Sequence, residues 1–315
     1  MNVGGRRLAT GDTFRKSVMF VQQMVNGLAL GSTYALFALG LTLVFGIQRV
    51  LNLAHGAILM WGALVGVYAV TQLQLPFVAA AALAAVAAGL LNVVVDFVAF
   101  RPLRRRGTAE FGSLVSSIGA SLILVNLSQR ATEAQILRFP REAFSNLNIA
   151  LAGARISAIQ LTIICVGAVL MLLLLAYLYK TNLGRQARAV AISERTAVLL
   201  GVPADWVYIQ TFFVSGALAG ITGVLVGVAF NSIHSLMGDA FLLHAFVIIV
   251  VGGLGSIAGA VVGGLAMGFA QTFLIAYTSS ELVDAVIFSA LIIVLIVRPQ
   301  GLFPGLHHEA GAARH

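Results

Sequence analysis

Charged side chains are scarce in this sequence. Asp, Glu, Lys and Arg together make up 10% of its 315 residues, against about 25% in soluble domains. Hydrophobic residues account for 60%, and the mean hydropathy is +0.99. A water-soluble fold of this composition would have too few polar groups to cover its surface. The composition therefore excludes an ordinary soluble domain and predicts an integral membrane protein.

Cysteine is nearly absent, and motifs for bound nucleotides and for catalysis are missing. The single cysteine, Cys165, excludes an intrachain disulfide and is interpreted as a small buried hydrophobe. The sequence contains no Gly-Lys-Ser/Thr, and the glycines at 253, 255 and 259 have the wrong spacing for a phosphate-binding loop. No Ser–His pair or metal-type His/Glu cluster falls within one predicted helix. We expect no cofactor and no enzymatic activity.

Long hydrophobic runs dominate what is present. A bilayer crossing needs about 20 apolar residues, and eight runs of roughly this length or more occur at 18–48, 51–74, 77–100, 112–129, 157–179, 206–230, 241–277 and 282–298. The runs are continuous and lack the alternation of barrel strands, so they predict helices. The expected fold is an all-α polytopic bundle of about eight to ten transmembrane helices.

Two of these runs are too long for one crossing and contain many glycines. Run 18–48 contains glycines at 27, 31, 40 and 46, and run 241–277 contains seven glycines between 252 and 268. Glycine weakens a helix by about 1 kcal/mol relative to alanine. Both runs are therefore expected to be broken, either into two short crossings or into a crossing with a re-entrant piece.

The basic residues lie between the hydrophobic runs, so topology explains the net charge of +8 better than nucleic-acid binding does. Three basic segments stand out: residues 1–17, 101–106 and 180–195. The positive-inside rule places all three in the cytoplasm, which requires an even number of crossings between the first two. Residues 1–17 are interpreted as a retained cytoplasmic segment, not a cleaved signal peptide.

The longest polar connection, residues 130–156, is expected on the opposite side of the membrane. Its mixed charge and single proline fit a small ordered cap or docking surface, or a plain solvated loop.

Ionisable groups within or beside apolar runs are candidates for function. His55 is the leading one, because Asn52 lies three residues before it on the same predicted helix face and Gly56 follows it. The alternative is a structural hydrogen bond between helices. Asp96 is expected to pair with the nearby arginine cluster. Asp284 and Glu281 suit the start of the last helix. The remaining three are expected to be solvated: His234, Asp239 and His244.

Glycines four residues apart lie on one helix face and allow helices to pack closely in a bilayer. The pairs are Gly27/Gly31, Gly62/Gly66, Gly216/Gly220, Gly223/Gly227 and the series Gly255/Gly259/Gly263. Tight packing is the expected role of most of them. The dense cluster from Gly252 to Gly268 instead predicts a break, which membranes tolerate where protein or a water-filled cavity supplies partners.

Residues 186–200 are predicted to form a short amphipathic helix on the cytoplasmic side. Apolar residues recur at helical intervals, with Arg188, Glu194 and Arg195 among them. Gly201 suits the C-cap, and Pro203 prevents continuation. Such a helix either lies on the membrane or docks into the groove of a partner.

Four segments in order resemble one family, the shorter permease of branched-chain amino-acid ABC transporters. They are Asn26–Gly56 (beginning NGLALGSTYALFALGL and ending in LNLAHG), Arg185–Gly201, Ala245–Gly264 (AFVIIVVGGLGSIAGAVVGG) and Val297–Phe303 (VRPQGLF). The resemblance spans roughly residues 20–303. The tail at 304–315 has no counterpart in it and is expected to be disordered.

The resemblance implies a permease domain at 18–303 that imports branched-chain or related small amino acids across the bacterial inner membrane. Its implied partners are a second homologous permease, two peripheral ATPases and a periplasmic binding protein. The helix at 186–200 becomes the coupling helix, with Arg188, Glu194, Arg195 and Gly201 at the ATPase contact. Broken segments would line the pathway; the candidates are Asn52, His55, Gly56, Gly253, Gly255 and Gly259.

Two alternatives to an amino-acid importer remain at this stage. A permease of the same family for urea, short amides or aromatic acids fits the same motifs. A self-sufficient secondary transporter or channel would need intramembrane carboxylates for ion coupling, and the carboxylates available sit at predicted helix ends.

Overall fold

The computed structural model describes residues 4–106, 109–140, 148–151, 154–278 and 282–303, and it is almost entirely helical. Helix α1 covers Gly4–Gln48, α2 His55–Thr71 and α3 Phe77–Val95, and α3 continues through a π-helical stretch, Asp96–Phe100, into α4, Arg101–Arg105. The next elements are α5 (Ala109–Thr132), a hairpin of β1 (Asn148–Leu151) and β2 (Ala154–Ser157), and α6 (Ala158–Lys180). The remaining helices are α7 (Asn182–Ile192), α8 (Glu194–Leu199), α9 (Ala204–Phe230), α10 (Met237–Gly252), α11 (Ile257–Tyr277) and α12 (Val283–Val297).

Nine of the described helices are apolar enough to belong to the membrane. Six segments are also long enough to cross it: Val18–Gln48, Phe77–Arg105, Phe111–Thr132, Ala158–Lys180, Ala204–Phe230 and Ile257–Tyr277. The shorter apolar helices are His55–Thr71, Met237–Gly252 and Val283–Val297. The predicted polytopic helical bundle is confirmed.

Only one of the two overlong runs is broken. Run 241–277 divides at residues 253–256 into α10 and α11, as the glycine cluster predicts. The expectation for run 18–48 is wrong, because α1 passes through it without interruption. Its glycines are contact points instead: a Cβ on Gly31 would lie 2.9 Å from the Leu265 Cα, and one on Gly40 would lie 2.9 Å from His55 Nε2. The chain leaves the helix only after Gln48.

Most of the spaced glycines pack helices at backbone distance, as predicted. A Cβ on Gly62 of α2 would lie 2.3 Å from the Gly220 Cα of α9, and a Cβ on Gly220 would also meet the Ala84 carbonyl oxygen of α3 at 2.7 Å. Gly268 of α11 approaches Gly31 of α1 equally closely. Gly255 is an exception to the predicted series, because it precedes α11 and has φ +79°.

The basic segments around Arg101–Arg106 and residues 180–205 meet at one end of the bundle, called here the basic end. Arg101 Nη2 lies 2.8 Å from Asp205 Oδ2, and Arg104 Nη1 donates to Gln48 Oε1 at 3.0 Å. Since α1 runs unbroken to Gln48, residues 4–17 extend from its opposite end, called here the distal end. The prediction that all three basic segments lie on one side is therefore wrong for the first of them.

Connections at the distal end are partly ordered. Leu137 pairs with Ile233 in an antiparallel bridge, and Phe139 N donates to Asn231 Oδ1 at 2.9 Å. The hairpin β1–β2 adds to this cap, which the helical runs did not predict. The middle of the 130–156 connection, Glu281 and the tail 304–315 lie outside the described residues.

Cys165 is exposed on α6, so its interpretation as a buried residue is wrong. The apolar run around Cys165 predicts an apolar helix, but it does not indicate which face of α6 packs against the other helices.

Candidate translocation and coupling sites

An irregular segment, residues 49–54, joins α1 to α2 inside the bundle and contains the first predicted site residue. Asn52 is fully buried; its Nδ2 donates to Asn92 Oδ1 at 3.1 Å, and its Oδ1 accepts from Ala54 N at 3.1 Å. Asn92 Nδ2 in turn donates to the Phe212 carbonyl at 2.8 Å. Asn92 of α3 thus holds the Asn52 side chain in place, and the backbone of the segment is bonded by Asn52 Oδ1 and by Ser117 of α5, whose hydroxyl accepts from Leu53 N at 3.2 Å. Non-helical backbone at membrane depth needs such partners.

His55 opens α2 and is also fully buried. Its Nε2 lies 3.3 Å from the carbonyl oxygen of Phe37 in α1. The centres of the His55 and Phe37 rings are 4.6 Å apart. A carbonyl only accepts, so this contact places the proton on Nε2. His55 Nδ1 then points a lone pair into the interior, where it has no hydrogen-bond partner among the described residues. The side chain therefore joins α1 to α2 and still offers one free acceptor.

Gly56, the second residue of α2, packs against the start of α10. A Cβ on Gly56 would lie 2.7 Å from the Gly238 carbonyl oxygen. A Cβ on Gly238 would lie 2.0 Å from the Gly56 carbonyl oxygen. Helices α2 and α10 therefore both begin inside the bundle and touch at their first turns. Asn52, His55 and Gly56 form one group at this interruption, but Asn52 lies in the irregular segment before α2, so the prediction of a shared helix face is wrong.

The other three pathway candidates form a separate group at the basic end. Gly253 and Gly255 have φ of +106° and +79° in the α10–α11 turn, and Gly252 and Gly259 pack backbone to backbone. The terminal segment closes this turn: Leu302 N donates to Val251 O at 2.8 Å, and Phe303 N donates to Gly252 O at 3.0 Å. These glycines hold the end of α10 and do not contact His55, which lies nearer Gly40 than Gly46 along α1.

A buried ion pair lies beneath the basic end. Arg104 donates to both carboxylate oxygens of Asp96, at 2.6 and 3.1 Å, and its guanidinium carbon lies 4.5 Å from the Tyr208 ring centre. The predicted pairing of Asp96 with the arginine cluster is thus confirmed, and Arg104 is the partner. The pair spans the π-helical stretch, which begins at Asp96 and shifts the register of the helix before Arg104.

The predicted single helix at 186–200 is two helices. Ser193 adopts an extended conformation and caps α8 by accepting from Thr196 N, so α7 and α8 meet at an angle. Short polar side chains favour N-caps over helix interiors, which explains the break. Gly201 follows α8 with φ +84°, as predicted for a glycine at the C-cap.

The predicted coupling residues have different surroundings. Arg188 of α7 donates to the Leu178 carbonyl and lies over the Tyr179 ring, 4.9 Å from its centre. Glu194 and Arg195 are exposed on α8, and Glu194 also lies next to Tyr208 beside one small cavity. Arg188 therefore anchors the segment to the bundle, while Glu194 and Arg195 face outward.

Two residues of these sites were not predicted from the sequence. Asn92 completes the Asn52 network, and Tyr208 connects Arg104 to Glu194. Asn92 could have been found, because it is a lone amide in a hydrophobic run and polar groups in membranes are costly. Tyr208 carried no such signal, since tyrosine is common near membrane interfaces.

The fold and these sites define a multi-pass helical membrane protein whose helices are interrupted inside the bundle around buried amides. A family model described as "Branched-chain amino acid transport system / permease component" matches residues 23–296. The chain belongs to this family of permease components, which confirms the resemblance seen in its motifs.

Individual relatives agree with this assignment. The chain is 36% identical over 294 residues to the high-affinity branched-chain amino acid transport system permease protein BraD of Pseudomonas aeruginosa, covering 90% of this chain and 95% of that protein. It is 35% identical over 295 residues to LivH of Escherichia coli K12, with the same coverage. A more distant relative is the autoinducer 2 import system permease protein LsrD of Escherichia coli SMS-3-5, 26% identical over 70% of this chain and 65% of that protein.

Proposed function

We propose that this chain is the membrane-spanning permease subunit of an ATP-driven importer for branched-chain or related small amino acids. Family membership over nearly the whole chain supports the transport role, and the names of BraD and LivH support the substrate class. Separate ATPase subunits supply the energy. The observation that carries this last part is the exposed tip of α8.

The tip of α8 is an apolar surface bordered by charge. Leu199 is 81% exposed and Leu200 is 79% exposed, next to Glu194 and Arg195. Exposed apolar patches with a polar rim are typical of protein interfaces. The apolar face of α7, by contrast, is already buried against the bundle through Ala187, Val190 and Ala191. A partner groove therefore fits this segment better than a membrane surface does, and the ATPase is the proposed partner.

Contacts beneath α8 would carry its movement into the bundle. Glu194 lies next to Tyr208 of α9, and Tyr208 lies against Arg104, which holds Asp96 and Gln48. Helices α1, α3 and α9 thus converge under the coupling segment. In the proposed mechanism ATPase closure shifts α8, and these contacts move the three helices together.

The proposed orientation places the basic end in the cytoplasm, because it gathers Arg101, Arg104, Arg105 and the basic α7. The chain would then lie in the bacterial inner membrane, paired with a second homologous permease and supplied by a periplasmic binding protein. The Asn52–His55–Gly56 group is the proposed pathway lining. Gly253, Gly255 and Gly259 are proposed to fix the pathway's cytoplasmic end.

Reconstitution tests this function. The chain and its partner permease are placed in proteoliposomes with and without the ATPase subunits, and uptake of radiolabelled leucine is measured with the binding protein present. Uptake that requires both ATPase and ATP is expected. Uptake by the chain alone, driven by an ion gradient, would contradict the proposal and favour a secondary transporter.

A further inference from the structure

A cavity of about 510 Å³ opens at the distal side of the bundle, where α6 begins and α9 and α11 end beside α1. Residues 23–33 of α1 form one side of the cavity, and the first turns of α6 and the last turns of α9 and α11 form the others. Its volume falls within the usual range of small-molecule sites, about 300–1,000 Å³. Nothing in the proposed coupling mechanism uses this cavity.

One wall of the cavity is a chain of neutral amides. Gln160 Nε2 donates to Asn26 Oδ1 at 2.7 Å, and Asn26 Nδ2 donates to Gln23 Oε1 at 3.3 Å. Gln160 Oε1 accepts from Ser157 N at 3.1 Å, so the amide chain is tied to the start of α6. These contacts hold the polar groups in place along the wall.

The rest of the lining is apolar, with three hydroxyl groups among it. Leu30, Ile163 and Ile275 supply aliphatic surface. The hydroxyl-bearing residues are Thr33, Ser157 and Thr272. None of the described residues that line the cavity is Asp, Glu, Lys, Arg or His. A ligand with net charge would lose hydration there without gaining a counter-ion, which is costly. The lining therefore suits a small ligand of zero net charge with an aliphatic part.

The cavity connects structurally to the His55 group through one face of α1. Asn26, Leu30 and Thr33 line it, and the next positions of that helical stripe are Phe37 and Gly40. Both of these residues touch His55. From Thr33 to Phe37 the helix rises about 6 Å. The cavity floor is thus one helical turn from the buried polar group.

We propose that this distal cavity is a binding site for a net-neutral aliphatic amino acid entering the bundle. The identity of the ligand as an amino acid and the direction of entry rest on the proposed function; the zero net charge and the aliphatic part rest on the lining. The neutral lining makes the permease select against acidic and basic amino acids independently of any delivery protein.

Thiol protection tests the site in the complete transporter. Because Cys165 is the chain's one cysteine, Cys165→Ser leaves a background in which Thr272→Cys reports on the cavity and Gln72→Cys, exposed at the distal end of α2, serves as the control. With leucine at about ten times its Kd, labelling of Thr272→Cys should slow about tenfold, because only the empty fraction reacts. Aspartate and lysine should not protect, and Gln72→Cys should be unaffected.

A second pair of variants tests the role of neutrality. Gln160→Glu places a carboxylate in the wall and is expected to raise the leucine concentration for half-protection about tenfold or more. Gln72→Glu adds the same charge outside the cavity and should leave protection unchanged. Equal protection by leucine, aspartate and lysine would overturn the proposal. A second result would also overturn it: labelling that is blocked in lipid vesicles but not in detergent, with the same outcome for every amino acid. A lipid would then occupy the cavity.

The outcomes also separate this site from the proposed function. ATP-dependent uptake without leucine protection would overturn the distal site and leave the transport role standing. Protection without ATP-dependent uptake would support the site and contradict the proposed energy coupling.

Discussion

Arg104 forms a two-oxygen hydrogen bond with Asp96, whose side chain is only 1% exposed. The pair links Asp96, the first residue of the π-helical stretch, to Arg104 in α4, and Gln48 and Tyr208 complete the shell around the guanidinium. A buried charge is stable here only because its partner and those hydrogen bonds are present. The basic end of the bundle is therefore organised around a charge pair as well as around apolar packing.

Breaking this pair should destabilise the protein. Arg104→Met leaves Asp96 buried without a counter-ion, and we expect a loss of about 3–5 kcal/mol in the free energy of unfolding. Denaturant titration in detergent, followed by circular dichroism, measures it. The control is Arg105→Met: Arg105 is exposed and lies 3.9 Å from Asp205, and such surface pairs contribute about 0–1 kcal/mol. Equal effects of the two variants would show that the Asp96 pair has no special role.

The backbone contact between α2 and α9 should not tolerate a methyl group. A Cβ at Gly62 would lie 2.3 Å from the Gly220 Cα, so Gly62→Ala must force the helices apart, at a cost of about 1–3 kcal/mol or more. Gly119→Ala is the matched control, because a Cβ there meets nothing within 4 Å and alanine favours the helix by about 0.5–1 kcal/mol. Thermal unfolding of the purified variants should give shifts of opposite sign.

The amide network around residues 49–54 should matter for stability. Asn92→Leu removes the partner of both Asn52 Nδ2 and the Phe212 carbonyl, and each buried unsatisfied group costs about 1–3 kcal/mol. Asn126→Leu is the control, because Asn126 is exposed and bonds only the Leu122 carbonyl of its own helix; we expect a change within about 0.5 kcal/mol. If Asn92→Leu unfolds at the same denaturant concentration as Asn126→Leu, the network does not hold the α1–α2 connection.

Variants of Glu194 and Tyr208 should distinguish binding of the ATPase subunits to α8 from transmission of their movement to the bundle. Glu194→Lys alters the exposed surface of α8, so we expect weaker co-purification with the ATPase subunits and reduced uptake, with unchanged membrane insertion.

Tyr208→Phe keeps the ring against Arg104 but removes the hydroxyl group beside Glu194. It should leave co-purification intact and lower the uptake per ATP hydrolysed. Normal co-purification and normal uptake in both variants would contradict a coupling role for this segment.

Much of the site was predictable where the signal is local. Asn52, His55 and Gly56 follow one another closely in the chain, so their proximity required no tertiary contact, although Asn52 precedes α2 and shares no helix face with His55. The second group, Gly253, Gly255 and Gly259, is equally close in sequence, but its partner is Phe303, far away along the chain. Local spacing could not reveal that these glycines receive the C-terminal segment and do not contact His55.

Composition and hydrophobic run length by themselves determined that this chain is a polytopic helical membrane protein, because the cost of exposing backbone and charge to lipid acts on every segment separately. The tertiary structure decided which overlong run breaks. Run 18–48 stays one helix because its glycines meet α11 and His55, whereas run 241–277 breaks where Gly253 and Gly255 take positive φ. That single unbroken helix also carries residues 4–17 away from the basic end. Such outcomes depend on contacts between helices, and a hydropathy pattern contains no information about which neighbour a helix will have.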